Sequence, residues 1–406
     1  MEKGVRTFLA GTALVVSQVA VILGIAETIL RLSPTLVSPA FLDRYPAVLK
    51  AEIAKKINLP TGVDYIQIPS HQRMDKGVDL FLSRPNTTYF TPADATDAAA
   101  GALNQMVMDD LGFCNPKAKH RSSVSVVLLG GSLPNCAGVS AEDNFTEQLQ
   151  ALTGHATYNL AVGGTGPFEF VEILKRFGLK FKPSVVVMAY SLANEVRDCR
   201  QHLDHLANKG QTPGKKQGWG FPFSRSYALS FLKAGVEVAV RQVKAMLAND
   251  FRFTVVVRGK YTNVNIRNGD RDELESALDM ANGKLSPALC EPALEEFAKL
   301  GRAHGFKAVV MATPAVYGTY ESSVMFNDPR WGAVMADYGS TQRRWLAENA
   351  TRLGYVFIDP TSAMQAKAQS SDLLYFPSNA HLTISGHRAL AEAAAPLILK
   401  AVGSNP

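Results

Sequence analysis

The sequence predicts a three-layer α/β/α fold around a central, mainly parallel sheet of five strands. Short apolar segments alternate with amphipathic helical segments over about 122–200 and again over about 290–400, a pattern typical of parallel sheets with helices on both faces. The chain has 406 residues, of which 47% are hydrophobic and 19% charged, which is ample for one large core. Small and polar residues follow the apolar segments, at the sheet edge where open α/β folds bind ligands.

Each predicted strand is short and strongly apolar. The run at 124–129 is almost uniformly apolar, which indicates a strand buried on both faces. The five predicted strands cover 123–129, 157–161, 184–190, 307–312 and 355–358. Apolar periodicity predicts the intervening helices at about 142–152, 168–178, 291–304, 339–353 and 385–401.

The alternation of strands and helices is interrupted between about residues 200 and 290. This stretch is long and partly polar, so we interpret it as an insertion that caps the core, because a structureless loop of that length is improbable. Within it we expect a helix at 227–247, an isolated strand at 251–257 and irregular surface structure at 263–284.

The N-terminus contains a candidate membrane anchor. Thr7 to Leu30 carries no Lys or Arg and is long enough to cross a bilayer as a helix. Lys3 and Arg6 precede it, which favours a cytoplasmic N-terminus and an extracytoplasmic, periplasmic main domain at the inner membrane. A cleavable signal peptide ending near Gly24 and Ala26 is the alternative.

The predicted organisation is an anchor at 1–31, a stalk or extension at 32–109 and a main domain at 110–403. The net charge of +6 is dispersed, so we expect no nucleic-acid partner. None of the four cysteines has C-x-x-C spacing, and we expect no metal site. Disulfides are possible in an exported protein, but the sequence leaves the pairing of the cysteines open, namely Cys114, Cys136, Cys199 and Cys290.

Four short blocks follow the predicted strands or precede the last helix. They are Gly131-Ser132, Asn159 to Gly164, Tyr190 to Glu195 and Pro377 to Leu382. In order and position these blocks resemble those of the SGNH hydrolases, also called the GDSL esterase family. The N-terminal segment and the sequence Leu111-Gly112-Phe113 before the first core strand are most similar to the bacterial membrane-anchored branch of that family.

The resemblance implies a serine esterase without a cofactor. Ser132 would be the nucleophile, and His381 the base that activates its hydroxyl and later protonates the leaving alcohol. The main-chain N–H groups of Ser132 and Gly164 and the side-chain amide of Asn194 would form the oxyanion hole.

The sequence departs from the family pattern at two positions. Gly131 stands where an Asp usually precedes the nucleophile. Ser378, followed by Asn379, stands where an Asp usually orients the catalytic histidine, and loss of that acid can lower kcat about 10⁴-fold in a Ser-His-Asp enzyme. Ser378, Asn379, a backbone carbonyl, a distant acid such as Asp372 or, less favoured, Glu195 could orient His381 instead. His387 is expected to lie in the last helix with a structural role.

Three functions are compatible with these residues. The first is a membrane-anchored extracytoplasmic esterase that cleaves acyl esters, acetyl esters foremost, on a carbohydrate or another envelope substrate. The second is an O-acetyltransferase that uses the same acyl-serine intermediate on an envelope polysaccharide. The third is a non-catalytic domain that binds glycan or protein partners. A dinucleotide-binding domain is not expected, because the glycines at 163–166 lack G-x-G-x-x-G spacing.

Overall fold

A computed structural model shows that the chain forms two compact units, one built from 1–67 with 213–247 and the other from 68–212 with 248–406. The residues that the structure describes are 2–37, 45–46, 49, 52–53, 56, 72–74, 80–82, 85–92, 103–116, 124–207, 225–247, 253–255, 264–266, 271–326, 330–369, 372–376 and 381–403.

The helices and strands are labelled here in chain order. The helices are α1 (Glu2–Leu32), α2 (Phe145–Thr153), α3 (Pro167–Ile173), α4 (Glu195–Ala207), α5 (Tyr227–Leu247), α6 (Arg271–Ala281), α7 (Glu291–His304), α8 (Val316–Thr319), α9 (Arg330–Leu353), α10 (Thr361–Ala368) and α11 (Ile384–Gly403). The strands are β1 (Gln72–Met74), β2 (Leu80–Leu82), β3 (Thr88–Pro92), β4 (Leu103–Val107), β5 (Val126–Gly130), β6 (Thr157–Asn159), β7 (Val185–Ser191), β8 (Phe253–Val255), β9 (Val264–Ile266), β10 (Lys307–Thr313), β11 (Val324–Phe326) and β12 (Val356–Ile358).

The second unit is organised around a five-stranded sheet in the order β12-β10-β7-β5-β6. All of its strand pairs are parallel, with Val126 opposite Val185 and Lys307 also opposite Val185 on the other side of β7. The predicted central sheet is therefore confirmed in strand number and direction. Because the strands are parallel, the loops that follow β5, β6 and β7 all leave the same edge of the sheet.

Alternate residues of the central strands enter two separate cores. Val126 and Leu128 pack in one core with residues of α2, α6 and α11. Val127 and Leu129 pack in the other with residues of α3 and α7. Because successive strand residues point to opposite faces, a strand buried on both faces must be continuously apolar, which explains the sequence of β5.

The helices that flank this sheet have defined ends. Asn144 begins α2 by accepting a hydrogen bond from the N–H of Glu147 at 3.0 Å, and Gly154 ends it in the left-handed conformation. Helix α7 has Pro292 in its first turn and ends at Gly305, also left-handed. These ends follow the ordinary preference for Asn before a helix, Pro at its start and Gly after it.

In the first unit, the end of α1 is tied to the start of α5. The carboxylate of Glu27 accepts hydrogen bonds from the Ser226 hydroxyl and the Ala228 N–H, both at 2.8 Å. Arg31 pairs with Glu27 at 2.7 Å and lies over the Tyr227 ring. Glu27 thus supplies a partner for the N–H groups that the first turn of α5 leaves unpaired.

Helix α1 covers the predicted anchor, but the structure does not support a membrane span. Among the described residues, none of the helices combines the length and the apolar character that crossing a bilayer requires.

Several elements differ from the sequence-based expectation. The segment 263–284, expected to be irregular, contains β9 and α6, and α6 buries Leu274 and Ala277 in the core. Helix α9 begins at residue 330 rather than 339, and α10 was not predicted. The predicted helix at 168–178 is split, because α3 ends in a π-helical turn at Leu174–Gly178. Residues 213–247 of the predicted insertion belong to the same compact unit as 1–67, whereas the predicted domain boundaries stay a prediction.

Candidate active site

Ser132 lies directly beyond the carboxyl end of β5, which ends at Gly130, and its side chain is partly exposed. The turn that carries it is tightened by Asn135, whose side-chain oxygen accepts a hydrogen bond from the N–H of Cys136 at 2.7 Å. A hydroxyl in this position is held by the sheet and remains accessible, as a nucleophile requires.

The loop after β6 approaches the Ser132 turn closely. The N–H of Val162 donates to the carbonyl of Gly130 at 2.9 Å. A Cβ atom on Gly163 would lie 3.7 Å from the Cβ of Ser132 and 3.9 Å from Nδ2 of Asn135. Gly164 has a φ of +77°, a conformation that residues with a Cβ rarely adopt. The block predicted from Asn159 to Gly164 therefore reaches the predicted nucleophile.

Asn194 lies between the end of β7 and the start of α4. Its Nδ2 donates a hydrogen bond to Oδ2 of Asp198 at 2.6 Å. An amide nitrogen carries two protons, so this bond fixes the amide and leaves one proton for another acceptor. Asp198 was not among the predicted site residues, although a residue four positions along a helix shares its face with the residue at the helix start.

Helix α9 holds the turn that precedes Asn194. The hydroxyl of Tyr338 donates to the carbonyl of Ala193 at 2.8 Å. Nε2 of Gln342 donates to the carbonyl of Leu192 at 2.9 Å. Nothing in the sequence pattern near α9 indicates this role, because the two side chains belong to a helix distant in sequence.

Three segments meet beside Gly131. A Cβ atom on this glycine would lie 3.3 Å from the carbonyl oxygen of Thr165 and 3.7 Å from Oε1 of Glu195. Gly131 precedes Ser132, Thr165 follows Gly164, and Glu195 follows Asn194. The neighbours of all three predicted oxyanion-hole residues are therefore in one place, although the distances between the predicted donors themselves stay a prediction.

Glu195 is fully buried at this meeting point. Burial raises the pKa of its carboxyl well above the ordinary value, and the nearby charge of Asp198 adds to the effect. The N–H groups of Ser191 and Glu195 and the Ser191 hydroxyl act in the opposite direction, but neither carboxyl oxygen has a partner with hydrogen-bond geometry among the described residues. Burial therefore favours the protonated form of the Glu195 carboxyl.

His381 lies in the segment between Phe376 and α11 and is partly buried. Its carbonyl accepts a hydrogen bond from the N–H of Phe376 at 2.8 Å. The ring of Phe376 packs against Gly138, where a Cβ atom would lie 2.7 Å from the ring, and belongs to one apolar cluster with Cys136 and Val139. The segment that carries His381 therefore packs against the segment that follows Ser132. The direct contact between the two side chains that base catalysis requires stays a prediction.

His387 lies in α11 and is structural, as expected. Its Nδ1 accepts a hydrogen bond from the N–H of Phe145 at 3.0 Å, at the first residue of α2. Burial, together with the charge of His381, lowers the pKa of His387 to about 3. The ring is therefore neutral at pH 7 and satisfies one of the N–H groups at the start of α2.

Two disulfides cross-link the segments that follow Ser132 and Asn194. Cys114 pairs with Cys136, four residues after Ser132, and Cys199 of α4 pairs with Cys290. All four cysteines of the chain are thus paired. The sequence left this pairing open.

A buried polar network holds the segment before β5. Asn115 donates from Nδ2 to Oδ2 of Asp109 and to the carbonyl of Asn159, both at 3.0 Å. Its Oδ1 accepts from the N–H of Asn159 at 3.0 Å. The segment containing Leu111-Gly112-Phe113 is therefore anchored to the start of the loop that carries Gly164, a role that the sequence did not reveal.

Two predicted residues cannot be placed. Ser378 and Asn379, the candidates for orienting His381, lie outside the described residues, and this role stays a prediction. Asp372, the distant alternative, is exposed. Within the described part of the chain, the structure contains no group of three or more His, Cys, Asp or Glu side chains that would hold a metal ion.

The structure is similar to several solved structures. They include TesA (12% identity, 68% of this chain and 98% of that chain covered, TM-score 0.36). A putative lipolytic protein of the G-D-S-L family from Desulfitobacterium hafniense has 12% identity, coverage of 67% and 98%, and a TM-score of 0.33. A catalytic mutant of Axe2, an acetylxylan esterase from Geobacillus stearothermophilus, has 13% identity, coverage of 71% and 97%, and a TM-score of 0.35.

No model of a known protein family matches the sequence, and no curated protein matches it. The function is therefore proposed from the residues of this chain.

Proposed function

We propose that this chain is an SGNH-type serine esterase that cleaves acyl esters, acetyl esters foremost, on a carbohydrate or another envelope substrate. The reaction would proceed through an acyl-serine intermediate on Ser132. The observation that carries the proposal is the meeting of three segments beside Gly131, where Thr165 and Glu195 approach the same point at 3.3 and 3.7 Å. This arrangement brings the neighbours of one nucleophile and three oxyanion donors to the carboxyl edge of a parallel sheet.

In the first step, His381 would remove the proton of the Ser132 hydroxyl as the oxygen attacks the ester carbonyl carbon. The carbonyl oxygen becomes an oxyanion and would accept hydrogen bonds from the N–H groups of Ser132 and Gly164 and from the amide of Asn194. When the carbon–oxygen bond breaks, His381 would return the proton to the leaving alcohol. A water molecule, activated by the same base, would then release the acid and regenerate Ser132.

The contacts of Asn194 suit this role. Nδ2 of Asn194 donates one proton to Oδ2 of Asp198, with 2.6 Å between the two atoms. The second amide proton therefore has a fixed direction. A donor that is already oriented costs no rearrangement as charge develops on the oxyanion, and this preorganisation is the main source of stabilisation in such sites.

We propose that the protein acts in an extracytoplasmic compartment, the periplasm, and that its N-terminal helix holds it at the membrane. The two disulfides support the compartment, because disulfides persist in oxidising environments and are rare in the cytoplasm. Membrane attachment is supported by the sequence of 7–30 and by side chains of α1 that are more than half exposed, such as Val21 at 61% and Ile22 at 64%. Protease protection of the main domain in spheroplasts would contradict this location.

The activity is tested with a series of p-nitrophenyl esters of increasing acyl length and with a serine-reactive phosphonate. We expect turnover that is fastest with acetate, and covalent labelling of Ser132 located by peptide mass spectrometry. Ser132→Ala should abolish both. The control variant is Ser362→Ala, because Ser362 is an exposed serine of α10 and its loss should change neither result.

The other candidate functions correspond to distinct outcomes. Labelling of Ser132 with acyl transfer to an added polysaccharide, in place of hydrolysis, would favour the O-acetyltransferase. A folded protein that is neither labelled nor active on any ester would contradict the proposal and leave a non-catalytic binding domain. Ser378→Asp, which restores the usual family acid, should raise kcat if its carboxylate reaches the ring of His381.

A further inference from the structure

Glu195 is the buried group that the proposed mechanism does not use. It is completely buried. The N–H groups of Ser191 and Glu195 and the Ser191 hydroxyl lie near its carboxyl, but neither carboxyl oxygen has a partner in hydrogen-bond geometry among the described residues. Burial of a polar group without a partner is destabilising. A leucine or methionine would fill the same space without this cost, so packing alone does not explain an acid here.

The position of Glu195 suggests what its acid group does. Oε1 and the carbonyl oxygen of Thr165 lie 3.7 and 3.3 Å from the same point beside Gly131. A carboxylate and a carbonyl would repel each other across this space, since both are acceptors only. A protonated carboxyl, which is the form that burial favours here, carries an O–H donor that a carbonyl oxygen can accept.

We propose that Glu195 is the positioning residue of the oxyanion hole, donating a hydrogen bond from its carboxylic acid to the main-chain carbonyl of Thr165 beneath Gly131. This bond joins the Asn194 turn to the Gly164 loop and closes both against the residue that precedes Ser132. The inference rests on the proposed function, since the three joined segments carry its three oxyanion donors. Glu195 touches no substrate and acts only through these segments.

The same geometry accounts for the glycine at position 131. Any side chain there would enter the space that Glu195 and Thr165 approach, and its Cβ would press on the Thr165 carbonyl at 3.3 Å. An Asp at 131, as usual in the family, would also place a second carboxyl against Glu195. The departure from the family at 131 and the buried acid at 195 are therefore two parts of one arrangement.

The test compares Glu195→Gln, Glu195→Ala and the wild type. Glutamine is neutral and its amide N–H donates to the same carbonyl, so Glu195→Gln should keep kcat within about 3-fold of the wild type, well short of the loss expected from misplacement. Glu195→Ala should lower kcat about 10²-fold, the effect of a misplaced catalytic group, with little change in KM. Glu172→Ala is the control, because Glu172 is a partly exposed acid of α3 that pairs with Arg176.

Two measurements do not depend on turnover. Amide hydrogen exchange followed by mass spectrometry should accelerate at 131–134, 162–166 and 192–195 in Glu195→Ala and not in Glu195→Gln. In infrared difference spectra of wild type against Glu195→Gln, the C=O stretch of a protonated carboxylic acid should be present at pH 7 only in the wild type. The infrared comparison needs no alanine variant, so the inference remains testable if Glu195→Ala does not fold.

The outcomes separate this inference from the proposed function. Equal loss of kcat in Glu195→Gln and Glu195→Ala, full activity of Glu195→Ala, or absence of the infrared band would each overturn the positioning role while the esterase proposal stands. If the wild type hydrolyses no ester, the proposed function fails. Selective acceleration of exchange in Glu195→Ala would then still support the hydrogen bond between Glu195 and Thr165 that joins the two segments. Unchanged exchange in that variant would overturn it.

Discussion

The buried histidine of α11 predicts a specific loss of stability at mildly acidic pH. Nδ1 of His387 accepts the N–H of Phe145 at 3.0 Å, so protonation would replace an acceptor with a donor facing a donor. Burial and the charge of His381 lower the pKa of His387 to about 3, whereas a histidine in the unfolded chain titrates near 6.5. Between these values the unfolded state binds a proton that the folded state does not.

The size of the effect follows from this difference. Because the unfolded state binds more protons, the free energy of unfolding rises with pH between about 3 and 6.5. The contribution of His387 to stability is fully present above pH 6.5 and is lost as the pH falls through this window. From pH 8 to pH 5, His387 alone should lower the free energy of unfolding by about 2 kcal/mol. Any native pKa below about 4 gives the same loss at pH 5, because the folded ring is then neutral at both pH values.

The assay is urea unfolding of the purified full chain at pH 8 and pH 5, for the wild type and for His387→Asn. Asparagine is chosen because its side-chain oxygen can replace Nδ1 as the acceptor for Phe145 and does not titrate. The variant should be less stable at pH 8, having lost a buried ring, but its loss between the two pH values should be smaller by about 2 kcal/mol.

His304→Asn is the control, because His304 is an exposed histidine at the end of α7. Its substitution should leave the difference between pH 8 and pH 5 as in the wild type. The reasoning is refuted if His387→Asn and the wild type lose the same stability between the two pH values.

Three further predictions concern the site and its support. Asn194→Ala should lower kcat about 10²- to 10³-fold, as loss of one oxyanion donor does. Ser132 should still be labelled by the phosphonate in this variant. Unchanged ester kinetics would exclude the amide as a donor. Gly386→Ala should destabilise the chain by about 2 kcal/mol or more in thermal unfolding, because its Cβ would overlap the carbonyl oxygen of Leu374. The control, Gly339→Ala in α9, should not destabilise the chain, because the nearest atom lies 3.5 Å away at the end of Arg343. Removing the Cys199–Cys290 disulfide, which closes a loop of 91 residues, should lower the free energy of unfolding by about 4.5 kcal/mol. Removing Cys114–Cys136, which closes 22 residues, should lower it by about 3.5 kcal/mol. Urea unfolding of the two paired Cys→Ser variants measures both losses, and the reverse order would contradict the prediction.

The sequence predicted the central sheet well, because β5 and β7 are buried on both faces and therefore have to be continuously apolar. The residues after β5, β6 and β7 could be assigned to one edge for the same reason, since the strands are parallel. Helix α6 was missed because it contributes only two buried apolar residues, Leu274 and Ala277, and most of its other positions are polar, so the periodic signal is weak.

The supporting contacts of the site were beyond prediction from the sequence for a different reason. Tyr338 and Gln342 reach the Asn194 turn from more than 140 residues away, and no local pattern records such a contact. The cysteine pairing was likewise open, because four cysteines allow three connectivities. Long-range pairing depends on how the helices pack, and that packing is set by the whole core.

The arrangement around Gly131 shows where a family pattern misleads when it is compared one position at a time. Position 131 lacks the usual acid and position 195 has a fully buried one, and the point beside Gly131 lies 3.7 Å from Oε1 of Glu195. Taken singly, the glycine suggests a weakened site and the glutamate suggests a helper for His381. Taken together, a Cβ at 131 would already be in van der Waals contact with the carboxyl at 195, so an Asp at 131 would place a second carboxyl against it. The double variant Gly131→Asp, Glu195→Ala should therefore fold better than Gly131→Asp alone, a non-additivity expected only for residues in contact.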